Sequence, residues 1–104
     1  MRDVEILLPH VLDVCNVTWT LDEQELRYFK RMTQDAIAYF VRRTGDDLDL
    51  TDGQVRTLLV HRVLYDHNKR LEWFEHNYQN EIMQLLVSYA AEDLAMESEL
   101  HGDH

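Results

Sequence analysis

The chain has 104 residues, room for one domain with a modest core, and its 45% hydrophobic content argues against wholesale disorder. Three glycines and one proline are poor material for a turn-rich β-sandwich or barrel, so long helices joined by few turns are expected. The formal net charge of −10 has the wrong sign for a protein that neutralises phosphates, which argues against direct, tight DNA binding.

The charge is unevenly spread. All ten basic residues lie between Arg2 and Arg70, against twelve acidic ones, for a net of about −2. After Arg70 there are eight acidic residues and no Lys or Arg, a net of −8. Cys15 is the single cysteine, so an intrachain disulfide is impossible, and its apolar helical spacing marks it as a core thiol. Glu5 and Pro9 interrupt any leader-like pattern, and no apolar run reaches the roughly 18 residues of a membrane span. A soluble, cytosolic chain is expected.

In chain order, Val4, Leu7, Leu8, Val11, Leu12 and Cys15 recur at helical spacing with Pro9 among them. Proline suits only a first helical turn, so a short helix from about Pro9 to Cys15 after a looser arm is expected, with one kinked helix as the alternative. Thr20-Leu21-Asp22-Glu23 reads as a capping box, with Thr20 as N-cap. It opens a helix over about 21–44 that carries Leu26, Phe29, Thr33, Ile37 and Phe40 on one face. Glu23 with Arg27, and Arg31 with Asp35, are spaced to pair on its surface. Arg42, Arg43 and Gly45 suit its C-terminus.

Thr51-Asp52-Gly53-Gln54 repeats the capping pattern and begins a third helix to about Asn68. Val55, Leu58, Leu59, Val60, Val63 and Leu64 cover more than half its circumference, which places it centrally. Phe74, Tyr78, Ile82, Leu85, Leu86 and Tyr89 predict a fourth helix to about Met96, starting near Arg70, Asn77 or Asn80. The expected fold is all-α: a single small domain of about four helices over residues 1–96. The long second and fourth helices would pack around the apolar third, and residues 97–104 would form a flexible acidic tail.

Catalytic and metal sites are not expected. His61 and His67 are six apart and share no helix face, and His101 and His104 sit in the tail. Aligned as a calcium loop, Asp47 and Asp49 put Asp52 where glycine belongs and Leu58 where the bidentate glutamate belongs. Cys15, Ser88 and Ser98 lack a nucleophile motif, there is no glycine-rich phosphate loop, and Glu92 and Asp93 diverge on a helix. No cofactor is expected. Phe74 and Tyr78 read as core, whereas Trp19 and Trp73 fall off the apolar stripes and suit subunit anchors.

The order of these pieces resembles a known family. A short apolar helix leads to Asn16-Val17-Thr18 and Leu21-Asp22-Glu23-Gln24. A long helix then closes on Tyr39-Phe40 to Thr44-Gly45. The central helix runs into Leu64-Tyr65-Asp66-His67-Asn68-Lys69-Arg70, and the last carries Leu85-Leu86 and Tyr89. Over about residues 6–92 this is similar to the small head–tail connector (adaptor, or head-completion) proteins of long-tailed bacteriophages and prophages. The chain departs from that pattern in the lysine before Arg70 and in lacking an arginine after the Leu-Leu-x-x-Tyr stretch.

The resemblance implies a structural virion protein that forms a homo-oligomeric ring of about 12 copies beneath the portal protein. Such a ring extends the DNA channel, meets a further head-completion or tail protein, and helps retain DNA that passes without specific binding. Its place would be the head–tail junction of the virion, after assembly in the host cytoplasm. Tyr65 and Arg70 join Trp19 and Trp73 as candidate subunit-interface residues. Glu92, Asp93, Glu97 and Glu99 are the candidates for a channel-facing or portal-docking surface. Two other classes remain. An acidic phage-encoded interaction module, a DNA mimic or inhibitor of a host protein, suits the charge of the last third. A helix-turn-helix regulator suits it least, since the third helix offers only Arg56 and Arg62.

Overall fold

A computed structural model describes the backbone of residues 2–100 and the side chains of residues 3–94. These form one all-α domain of five helices without strands: α1 (Arg2–Val14), α2 (Glu23–Thr44), α3 (Gly53–His67), α4 (Leu71–Asn77) and α5 (Gln79–Leu100). Helix α3 touches each of the other four. Its apolar circumference explains this, since Val55, Leu58, Leu59, Val60 and Val63 are all buried.

Helix α1 corrects the expected start at Pro9, because it runs through the proline from Arg2. Val4, Leu7 and Val11 form one buried face across it. Burying each is worth roughly 1.5–3 kcal/mol, against about 3 kcal/mol for an interior proline. Pro9 and Glu5, whose carbonyl loses its partner, are both exposed, so water can satisfy that carbonyl. The helix closes in a Schellman motif. Asn16 takes the left-handed conformation at φ 59°, the Val17 amide donates to the Leu12 carbonyl, and the Asn16 amide donates to that of Asp13.

The cap of α2 lies two residues beyond the expected Thr20. Asp22 accepts from the Glu25 amide at 2.8 Å, and Glu25 accepts from the Asp22 amide at 3.1 Å. Asp22 thus forms the capping box with Glu25, and Leu21 and half-buried Leu26 occupy the staple positions around it. Gly45 closes the helix at φ 75° as expected. The expected surface pairs Glu23–Arg27 and Arg31–Asp35 do not form, the single ion pair among the described residues being Arg43–Glu75. In the connection to α3, Leu50 is buried and Leu48 half-buried. Asp52, rather than Thr51, caps α3 by accepting from the Gln54 amide. Thr51 instead donates its amide and hydroxyl to the Asp49 carboxylate, which holds that carboxyl below its ordinary range.

The expected fourth helix is two. A second Schellman motif ends α3: Lys69 is left-handed at φ 58°, and the Arg70 amide donates to the Tyr65 carbonyl at 2.8 Å. The chain turns into α4 and breaks at Tyr78, whose φ of −113° and ψ of 20° leave the helical region. Tyr78 is held there by its side chain: the ring stacks on Phe74 at 4.9 Å and meets Tyr65 edge-on, and the hydroxyl pairs with His61 Nδ1 at 2.9 Å. Helix α5 continues to Leu100, past the Met96 expected from sequence. Residues 101–104 of the expected tail lie outside the described residues.

The cap assignment has a direct test. Asp22→Ala should lower stability by about 1 kcal/mol in urea denaturation, and Thr20→Ala by less than about half of that. Equal losses would return the cap to Thr20.

Candidate functional site

Helix α5 divides into three faces. Ile82 and Leu85 are buried, with Leu86 and Tyr89 half-buried beside them. Tyr89 fixes this side to the α2–α3 connection, its hydroxyl accepting from the Asp49 amide at 3.0 Å. On one flank Glu81, Gln84, Ser88 and Glu92 are exposed and polar, and on the other lie Met83, Val87, Ala90 and Leu94. Met83, Val87 and Leu94 are 58%, 59% and 66% exposed, the most open large apolar residues described. The apolar stripe read from sequence is the buried face. A second stripe at 83, 87, 90 and 94 was present in the same spacing, and an amphipathic reading that stopped at one stripe missed it.

Met83 and Leu86 share a shallow groove with Tyr39, Arg43, Glu75 and His76. Trp73 packs edge-on against His76 within α4, ring centroids 6.5 Å apart. Behind the groove, Tyr39 donates to Glu75 Oε1, which also accepts from Arg43 at 2.8 Å. The Arg62 guanidinium lies 3.9 Å from the Tyr39 ring centroid, and that of Arg43 lies at 4.4 Å. Half-burial lowers the Arg62 pKa, and its buried Nε has no hydrogen-bond partner, so the rings are its main support. Desolvation and the Glu75 contact push Tyr39 up to about 12.

Of the candidate interface residues, Trp73 and Arg70 stand together at the start of α4, the Trp73 amide donating to the Arg70 carbonyl. Both side chains are exposed. Trp19, 54% exposed, lies apart in the α1–α2 connection, where its indole N–H donates to Glu25 at 3.1 Å. Tyr65 is engaged within the chain: its ring meets Phe74 and Tyr78, and its hydroxyl accepts from Asn77 at 2.9 Å. Glu92 and Asp93 are exposed but diverge, Asp93 turning back to Asp46, whose carboxyl it pushes above the usual range. Glu97 and Glu99 have side chains outside the described residues. Cys15 is half-buried, and burial raises its thiol pKa.

A different surface lies on the first half of α2. Gln24, Arg27, Tyr28, Lys30, Arg31 and Gln34, all on this one helix, make a continuous cationic surface. Among the described residues none of its three cations forms an ion pair. Three or more His, Cys, Asp or Glu side chains do not converge as a metal-binding group anywhere among the described residues. No described helix is long and apolar enough to cross a membrane. No family model, curated protein or solved structure matches the chain. The exposed features among the described residues are the apolar flank of α5, the two tryptophans and the cations of α2.

The Tyr39 cluster generates a pH dependence. An acid whose folded pKa is raised stabilises the fold below its unfolded value and loses that contribution as pH rises towards the folded value. Stability should therefore fall between about pH 10 and 12. Tyr39→Phe should remove the last-ionising tyrosine from a spectrophotometric titration and flatten that fall. An unchanged titration would contradict the assignment.

Proposed function

We propose that this chain is a structural subunit of a phage head–tail connector, a homo-oligomeric ring beneath a portal that extends the DNA channel. The observation that carries the reading is the division of α5 into a face that completes the domain and an exposed apolar flank. A monomer leaves Met83, Val87 and Leu94 open to water, so a partner is the natural destination of that flank. The helix order supports the same reading, with an apolar central helix flanked by two 22-residue helices and the Asn68-Lys69-Arg70 turn leading to Trp73.

The charge distribution suits a conduit. An acidic wall repels phosphates and lets DNA slide, and the described part of the last third carries only carboxylates. Glu92, with Glu97 and Glu99 beyond it, is the proposed channel-facing or portal-docking set. Trp19, Trp73 and Arg70 are proposed interface residues, whereas Tyr65 serves them by setting the turn into α4. The −8 of the last third also favours a second reading, an acidic inhibitor or DNA mimic.

Light scattering across a concentration series, followed by electron microscopy alone and with a portal ring from the same genome, separates the two. The connector reading predicts closed rings or capture by the portal. A monomer or dimer that ignores the portal but captures a basic host protein, and releases it at high salt, would contradict it.

A further inference from the structure

We propose that the groove between the start of α3 and the first turns of α5 seats an arginine side chain of a partner protein. The inference goes beyond the connector reading and does not need it. This face lies on the Glu81 side of α5, away from the flank of Met83, Val87 and Leu94. Two helices build the groove. Leu58 of α3 and Leu85 of α5 are buried and form an apolar floor, and half-buried Tyr78 adds a ring to the wall. The aromatic junction that holds Tyr78 therefore also holds one side of the groove. Above the floor stand Asp52 and Thr57 on the α3 side and Glu81 on the α5 side, all exposed. The space between them is about 580 Å³, enough for one long side chain.

Charge and hydrogen-bonding capacity select the occupant. Among the described residues Asp52 and Glu81 form no ion pair, and no Lys, Arg or His lines the groove. The Thr57 hydroxyl donates to the Gly53 carbonyl at 2.8 Å, so what it offers the groove is lone pairs. Asp52 accepts from the Gln54 amide, which uses one of the roughly four acceptor positions of a carboxylate. Gln54 and Gln84 can turn either end of their amides inward. The positive end of the α3 dipole amounts to about half a charge, and the full charge of Asp52 at the cap outweighs it. A lining of this kind fits a side chain that carries donors alone. Arginine meets the demand better than lysine. Its stem lies on the apolar floor, its five N–H donors reach both walls at once, and its guanidinium holds water less strongly than an ammonium.

Two probes carry the test: acetyl-Leu-Arg-Leu-amide, and the same peptide with citrulline, which keeps the shape of arginine and loses the charge. Binding is followed by NMR of the leucine methyl groups at physiological salt, where general attraction to an acidic chain is screened. The arginine peptide should shift Leu58 and Leu85 in a saturable titration, and the citrulline peptide should bind at least about fivefold more weakly. Glu81→Gln should weaken the arginine peptide by a similar factor. Glu23→Gln removes the same charge at the start of α2, which meets the far end of α3 through Tyr28 and His67, and should leave binding within about twofold. Both positions are exposed, so both variants should fold, which circular dichroism checks. Equal binding of the two peptides overturns the proposal, as does an equal loss in the two variants, which would assign binding to overall acidity. Self-association of the unaltered chain that Glu81→Gln abolishes without peptide would give the groove to a second copy and overturn it as well. A chain that closes rings but shows no arginine-dependent shift at the groove overturns this inference and leaves the connector reading standing.

Discussion

Phe74 is the point on which the arrangement of the last two helices depends. It is 1% exposed and meets Tyr78 face-on, with Tyr65 and Phe40 edge-on at centroid separations of 5.8 and 6.2 Å. The Arg62 guanidinium lies 5.9 Å from the same ring. Each aromatic pair adds about 0.5–1.5 kcal/mol beyond the area it buries. These contacts reach α2 through Phe40, α3 through Tyr65 and Arg62, and the α4–α5 junction through Tyr78. Seven residues of α4 could not hold a position by their own hydrogen bonds, since helices that short are marginal in water. The ring cluster holds them, and the break at Tyr78 then sets the direction in which α5 leaves.

That direction decides which residues of α5 are covered. Ile82, Leu85 and Tyr89 turn inward, and the same rotation turns Met83, Val87 and Leu94 outward. Packing inside the domain and exposure outside it are two results of one constraint. The carboxylates of the last third add a second effect. With no Lys or Arg after Arg70, the segment that bears the exposed flank is acidic throughout and repels a like segment.

Much of the fold was legible in the sequence because its signals are local and periodic. The all-α class, the central third helix and the Gly45 stop follow from spacing and from one residue with conformational freedom. The misplaced starts have a common cause. Thr20 and Asp22 both precede acidic residues at capping distance, and only the half-burial of Leu21 before the helix separates them. Pro9 suggests a boundary, but the buried face of Val4, Leu7 and Val11 outweighs its local cost. The split at Tyr78 had only a weak local sign, since Asn77 and Asn80 were alternatives to Arg70 as a helix start and neither glycine nor proline marks the break; tertiary contacts to His61, Tyr65 and Phe74 impose it. Lys69 in a left-handed position was equally hidden, because that conformation ordinarily announces itself through glycine or asparagine. Of the candidate site, Trp19 and Trp73 were found as residues left off an apolar stripe. The α5 flank, and the absence of ion pairs at Arg27, Lys30 and Arg31 among the described residues, needed the packing to show what remains uncovered.

The most direct test of this account is whether Phe74 holds α5 in place. With Cys15 replaced by alanine, spin labels at Asp35 on α2 and Ser88 on α5 occupy exposed positions on the two long helices. Double electron–electron resonance, on labelled protein diluted into unlabelled chain, reads the distance distribution between them. The account predicts one narrow distribution in the otherwise unaltered protein and a broad one after Phe74→Ala, with helix content largely kept. A distribution equally narrow in both would contradict it, because α5 would then be oriented by something other than the aromatic junction.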